Sequence, residues 1–122
     1  DDRDDETVRV AALREYFIDE LLAIPGTRLN GNRVDRLPNN VNVSFKGVDG
    51  EALVMYLDER GIAASTASSC TGPQSMSHVL RALGMTSDEI TGSVRFTLGR
   101  QTKKRHLRRT VTTIKKILSL LA

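Results

Sequence analysis

The sequence predicts an α+β two-layer sandwich, a small and mostly antiparallel sheet covered on one face by helices. Three observations carry this prediction. Near both ends of the chain apolar residues recur at three- and four-residue steps, the spacing of amphipathic helices. Between them, short segments alternate apolar and polar residues, as half-buried strands do. No repeat or low-complexity linker divides the 122 residues, and 39% of them are apolar, enough for one hydrophobic core. Residues 1–122 are therefore expected to form a single domain.

The elements follow in order. Val10, Leu13, Phe17, Leu21 and Ile24 form the first apolar stripe, and Pro25-Gly26 ends that helix. Thr27 to Asn30 reads as a short strand, with Asn30-Gly31-Asn32 as a turn. Val41-Asn42-Val43-Ser44-Phe45 alternates and is rich in strand formers. Asp49 is placed to cap a helix through Leu53, Val54 and Leu57, with Gly61 just past its end. Ile62-Ala63-Ala64 reads as a short apolar strand. The Ser/Thr/Gly/Pro segment around Cys70 reads as a loop, and Ser75 or Ser77 starts a short helix stopped by Gly84. Thr86 with Glu89 matches a capping box. In Ser93-Val94-Arg95-Phe96-Thr97-Leu98 the apolar residues share one face and Arg95 takes the other. Leu107, Val111, Ile114, Leu118 and Leu121 give the last helix its stripe.

Composition excludes several classes. A single cysteine rules out an internal disulfide and a thiolate metal site, and fits a reducing compartment. His78 and His106 are far apart in sequence, which argues against a histidine-based site. No apolar run approaches the roughly 20 residues of a membrane span, and the acidic start has no secretory pattern. A cytoplasmic protein without a membrane partner is expected. Charge is polarised: residues 1–6 are acidic, whereas Arg100, Lys103, Lys104, Arg105, Arg108, Arg109, Lys115 and Lys116 crowd the end. A solvated helix face accounts for these cations, and an anionic partner is the alternative.

Two residues are candidates for chemistry. Cys70 lies among small, flexible residues, where a loop can present a thiol; composition alone fits an inert loop cysteine equally well. Arg95, in mid-strand, either spans solvent or offers a guanidinium fork to a substrate carboxylate.

Segments of the chain then show a likeness in their order and spacing. Arg36-Leu37-Pro38-Asn39-Asn40-Val41-Asn42-Val43-Ser44-Phe45, Gly47-Val48-Asp49-Gly50-Glu51-Ala52-Leu53, Ser69-Cys70-Thr71 with Ser77-His78-Val79-Leu80-Arg81-Ala82-Leu83-Gly84, and Ser93 to Arg100 resemble the C-terminal small domain of NifS/IscS-type cysteine desulfurases, of the class V aminotransferase family. The likeness runs over residues 6 to 120. It implies a pyridoxal-phosphate enzyme that takes sulfur from L-cysteine, leaves L-alanine, and passes the sulfur to an acceptor protein. It makes Cys70 the persulfide carrier on a mobile loop and Arg95 the binder of the substrate carboxylate. It further implies that the cofactor lysine belongs to a large N-terminal domain joined near residues 1–6. None of Lys46, Lys103, Lys104, Lys115 or Lys116 matches that lysine's surroundings, so this chain alone is expected neither to bind the cofactor nor to be active. The full-length form is expected to be a homodimer serving iron–sulfur cluster assembly, RNA thiolation or DNA phosphorothioation. The chain departs from the family in a shorter loop containing Pro73, in Ser68-Ser69 before the cysteine, and in Lys103-Lys104-Arg105 where acidic residues are usual. The alternatives are a non-catalytic module of this fold that binds a partner or nucleic acid, and another pyridoxal-phosphate lyase that uses Arg95 but not Cys70.

Overall fold

The computed structural model describes residues 2–31, 39–66 and 80–121. The elements are α1 (Asp2–Leu22), β1 (Thr27–Leu29), β2 (Asn40–Phe45), α2 (Gly50–Glu59), β3 (Ser65–Thr66), α3 (Ser87–Thr91), β4 (Ser93–Thr97) and α4 (Lys104–Leu121). The strands form one sheet in the order β1-β2-β4-β3, with every pairing antiparallel. Helices α1, α2 and α4 pack together and against one face of it. The expected α+β two-layer sandwich is what the chain forms.

The core follows from the alternation in the two central strands. Val41, Val43 and Phe45 of β2 and Val94 and Phe96 of β4 point to the helices and are buried. They meet Phe17, Ile18 and Leu21 of α1, Leu53 and Leu57 of α2, and Leu107, Val111, Ile114 and Ile117 of α4. The Phe17 and Phe96 rings meet edge to face, with centroids 5.2 Å apart and planes at 81°, the arrangement favoured by the ring quadrupoles. Ile24 joins this core from the turn beyond α1 rather than from the helix itself.

Helix ends are set by the caps read from the sequence. The Asp49 side chain accepts from the Glu51 N–H at 3.0 Å and starts α2. Gly61 follows the last turn at φ +77°, a left-handed position that glycine takes without strain. Thr86 and Glu89 form the capping box of α3: the Thr86 hydroxyl accepts from the Glu89 N–H at 3.2 Å, and the Glu89 carboxylate accepts from the Thr86 N–H at 2.9 Å.

One expected element is displaced. Ile62-Ala63-Ala64 is not a strand; the two-residue strand is Ser65–Thr66, paired with Arg95 and Val94. Ile62 and Ala64 pack against the core without joining the ladder. The expected helix before Gly84 is seen as helical residues 80–82, and its start lies outside the described residues.

Two devices hold the connections. A Cβ on Gly92 would stand 2.5 Å from the Phe45 carbonyl oxygen, and one on Gly50 would stand 2.8 Å and 2.9 Å from the carbonyl oxygens of Ser93 and Thr91. Backbone therefore meets backbone where β2 passes into α2 and α3 into β4, and no larger residue fits. At the other end of β4, the Arg9 guanidinium donates to the carbonyls of Gly99, Arg100 and Thr102 at 3.2, 2.8 and 2.6 Å. Its pairing with Glu6 at 2.6 Å orients the fork. That hydrogen bond holds the Glu6 carboxyl below its ordinary value and raises Arg9.

Four outcomes follow for stability. Gly92→Ala forces the strand and turn apart and is expected to cost about 1–3 kcal/mol, read from thermal melts. The Thr27 hydroxyl is buried without a hydrogen-bond partner among the described residues, so Thr27→Val is expected to raise stability by about 1 kcal/mol. Thr86→Ala removes the cap of α3 and is expected to cost about 1 kcal/mol. The Glu89 carboxyl is held below its ordinary range, first by its hydrogen bonds with Thr86 and then by the Arg28 charge. A depressed carboxyl stabilises the fold above its unfolded-state value, and this contribution disappears as pH falls through the folded one. Glu89→Gln is thus expected to melt below the wild type at neutral pH, with the gap closing in the acid range.

Candidate functional site

The face of the sheet turned away from α1, α2 and α4 carries only polar strand side chains. The pairing aligns its side chains in rows. Ser65 of β3, Arg95 of β4 and Asn42 of β2 stand side by side, and Asn30 continues the row, its N–H donating to the Asn42 carbonyl at 2.9 Å. On one side of this row lie Thr97 and Asn40, whose side chains are bonded at 3.1 Å. On the other lie Ser93, Ser44 and Arg28. Strand alternation dictates this outcome: once Val41, Val43, Val94 and Phe96 face the core, the residues between them must face the opposite way.

Part of that face is locked. The Ser44 and Ser93 hydroxyls are 2.9 Å apart, and each donates to the Glu89 carbonyl of α3, at 2.9 and 2.7 Å. The Asn30 amide donates to Asn42 Oδ1 at 3.0 Å and reaches both serine hydroxyls, at 2.9 and 3.2 Å. Ser44 and Ser93 are buried by this network although both are polar. Arg28 bonds the Glu89 carboxylate across the same corner. These bonds join β1, β2, β4 and α3 just below Arg95.

Arg95 is exposed, and its side chain forms no hydrogen bond or ion pair among the described residues. Arg9, Arg14, Arg28, Arg60 and Arg109, by contrast, each bond a carbonyl or a carboxylate. Arg95 thus presents a full set of donors, suited to a carboxylate taken in two parallel hydrogen bonds. A groove of about 830 Å³ runs past Arg28, Ser44, Lys46, Asp49 and Glu89 at the far end of β2 without reaching Arg95. Among the described residues, no three His, Cys, Asp or Glu side chains converge to hold a metal.

Of the other residues singled out in the sequence, Cys70 and His78 lie outside the described residues. The chain enters the segment carrying Cys70 from β3, the strand next to Arg95. His106 is exposed, and its Nδ1 accepts from the Lys103 N–H at 3.2 Å as α4 begins. Lys103, Lys104, Lys115 and Lys116 belong to α4 or its approach, in the helical layer, and Lys46 sits in the turn after β2. None stands in the row with Arg95. Among the described residues, no helix is long and apolar enough to cross a membrane. Asn42, Asn30, Ser44 and Ser93 were not singled out in the sequence. The signal for them is parity: all stand on the Arg95 side of an alternating ladder.

The fold and sequence have known relatives. The aminotransferase class-V family model matches residues 4–109. The "Cysteine desulfurase IscS" of Dictyoglomus turgidum is 42% identical over 120 residues, covering 97% of this chain and 30% of that protein. The "Cysteine desulfurase IscS" of Methanosarcina thermophila is 42% identical over 110 residues, covering 89% and 27%. The solved structure of a "NifS-like protein" superposes with a TM-score of 0.83 at 25% identity, over 96% of this chain and 29% of that one. A NifS-like protein from Rickettsia africae shares the fold, with a TM-score of 0.81 over 94% of this chain. The chain thus spans about 30% of the length of the relatives it matches. With the family model matching most of the sequence and the same sheet and helix layer found in its solved relatives, this chain belongs to the class-V aminotransferase family.

Proposed function

We propose that this chain is the small C-terminal domain of a cysteine desulfurase, in which Arg95 holds the carboxylate of L-cysteine and Cys70 takes the sulfur. The observation that carries this reading is Arg95: a guanidinium without a partner among the described residues, on a polar sheet face, beside the strand that leads toward Cys70. Cys70 follows Thr66 by four residues, so chain length alone keeps their Cα atoms within about 14 Å. The relatives named cysteine desulfurases support the choice of substrate.

In this reading the chemistry divides between the domain and the rest of the enzyme. The Cys70 thiolate attacks the sulfur of L-cysteine. A sulfur–sulfur bond forms as the substrate's carbon–sulfur bond breaks, and the carbon takes a proton to become L-alanine. The persulfide sulfur then moves to an acceptor protein. Pyridoxal phosphate, when bound, would make that carbon–sulfur bond labile. No lysine of this chain stands beside Arg95 to anchor the cofactor, so the anchoring residue comes from the rest of the enzyme, and the chain alone neither binds the cofactor nor turns over cysteine. A reducing cytoplasm keeps a lone reactive thiol free. A homodimeric enzyme feeding iron–sulfur cluster assembly is the setting proposed for it.

The test uses the full-length enzyme with L-cysteine, measuring alanine and sulfide together. Cys70→Ser is expected to abolish both while leaving cysteine binding intact. Arg95→Lys keeps the charge but loses the fork, and kcat/KM is expected to fall roughly 10- to 100-fold, the equivalent of about 1.5–3 kcal/mol for hydrogen bonds to a charged group. Full activity in Cys70→Ser would show a lyase that does not use the loop thiol. An unchanged KM in Arg95→Lys would remove Arg95 from the site.

A further inference from the structure

Helix α4 carries six cations, Lys104, Arg105, Arg108, Arg109, Lys115 and Lys116, and no acidic residue in its 18 positions. All six are exposed. The whole chain has a net charge of only +3, so everything outside this helix is net acidic. At about 100° per residue the six fall within an arc of roughly 140° and along about 18 Å of the axis. The opposite arc is filled by Leu107, Val111, Ile114 and Ile117, which face the core.

Contacts mark the two edges of this stripe. Lys104 Nζ lies 4.6 Å from the centre of the Tyr16 ring on α1, and Arg109 donates to the Arg60 carbonyl at the end of α2 at 3.0 Å. Between these edges Arg105, Arg108, Lys115 and Lys116 form no ion pair among the described residues. The neighbouring helices carry the opposite sign on their exposed positions: Asp5, Glu15 and Asp19 on α1, and Glu51, Asp58 and Glu59 on α2. The basic surface thus follows α4, roughly 10–12 Å wide, extended by the exposed Lys103 at its start and Arg60 at the end of α2, and the neighbouring helices themselves bear carboxylates.

We propose that this stripe docks an acidic peptide segment of a partner protein, lying along α4. Charge complementarity identifies the ligand as polyanionic, and the width of the stripe selects its class. A single acidic helix or extended segment covers the cations and leaves the bordering helices clear. A nucleic-acid duplex is broader, and its phosphates would also lie over the carboxylates of α1 and α2, where like charges cost affinity. Lys104 and Arg105 also oppose the macrodipole at the N-terminus of α4; a bound carboxylate offsets this.

The test is fluorescence anisotropy on the intact protein. The probe is a labelled Glu-rich peptide of about 12 residues, which as a helix matches the length of the stripe. A single-stranded oligonucleotide and a DNA duplex of equal charge are the competing arms. The peptide is expected to bind more tightly than either, and to weaken as ionic strength rises. Arg105→Glu with Arg108→Glu is expected to weaken peptide binding by roughly tenfold or more at low salt. Lys115→Glu with Lys116→Glu, further along the helix, provides a second reporter should the first pair fail to fold. Lys46→Glu with Arg81→Glu changes the net charge equally but lies off α4, and is expected to leave binding within about twofold. Tighter binding of duplex or single strand overturns the proposal in favour of a nucleic-acid surface. Equal loss in the Lys46/Arg81 pair, or no peptide binding at low salt, overturns it outright.

Discussion

The pairing of β2 with β4 is the constraint on which the rest of this structure depends. Its register sets Val43 against Val94, Val41 against Phe96 and Asn42 against Arg95. A slip by one residue would turn Val41, Val43, Val94 and Phe96 into solvent and Asn42 and Arg95 into the core. Each buried side chain of this size stabilises by roughly 1.5–3 kcal/mol, so the apolar row alone makes the slipped register untenable. The close approaches of Gly92 to the Phe45 carbonyl and of Gly50 to the carbonyls of Thr91 and Ser93 admit no larger residue at either point. The Ser44–Ser93 pair, bonded to the Glu89 carbonyl, secures the same register from the polar side. The position of Arg95 is therefore a consequence of core packing on the reverse of the sheet.

The polar corner beneath Arg95 shows why that position is rigid. Ser44 and Ser93 are buried, and buried hydroxyls without partners would cost the fold free energy. Here each hydroxyl has more than one partner, and Asn30 links both to Asn42, the cross-strand neighbour of Arg95. A fully bonded polar network admits few arrangements, so it orders the backbone on three strands at once. Precision in the carrier strand matters for a guanidinium, because a two-pronged hydrogen bond fails with small changes of angle where a point charge would not.

What was legible in the sequence divides along the same physical lines. The caps at Asp49 and at Thr86 with Glu89 are local bonds between near neighbours, and the structure has both. The alternation in residues 93–98 placed Arg95 opposite the core residues, as observed. The strand at Ser65–Thr66 was misplaced onto Ile62–Ala64, because a two-residue strand is defined by its partner β4 rather than by its own composition. Ile18 and Ile117 escaped the helical stripes because each lies beside the line of strongest periodicity, on faces broad enough to bury a second row. Arg14 is 5% exposed within an apolar helix face, and its guanidinium donates to the Asn40 carbonyl at 2.9 Å. No spacing rule foretells that a charge will be buried on a backbone partner. Ser44 and Ser93 read as solvent-facing strand positions and are buried by α3, a five-residue helix whose docking is a tertiary event.

The openness of the Arg95 face bears on how such a site gains strength. An exposed guanidinium–carboxylate pair is worth about 0–1 kcal/mol, because water competes for both partners and salt screens them. The same pair with water excluded is held by charge-assisted hydrogen bonds worth roughly twice a neutral one. The groove at the far end of β2 does not reach Arg95. Among the described residues the Arg95 donors have no partner, and in the proposed reading useful affinity for a carboxylate requires a second surface laid over this face. Among the described residues α3 covers this polar face only at the Ser44–Ser93 corner, and the other polar groups can exchange water for partners without exposing an apolar row. The helical layer has the reverse design: its apolar residues are spent on the core, and its outer surface is sorted by charge. In the proposed reading the two faces serve different encounters, one with a small anion and one with a charged partner.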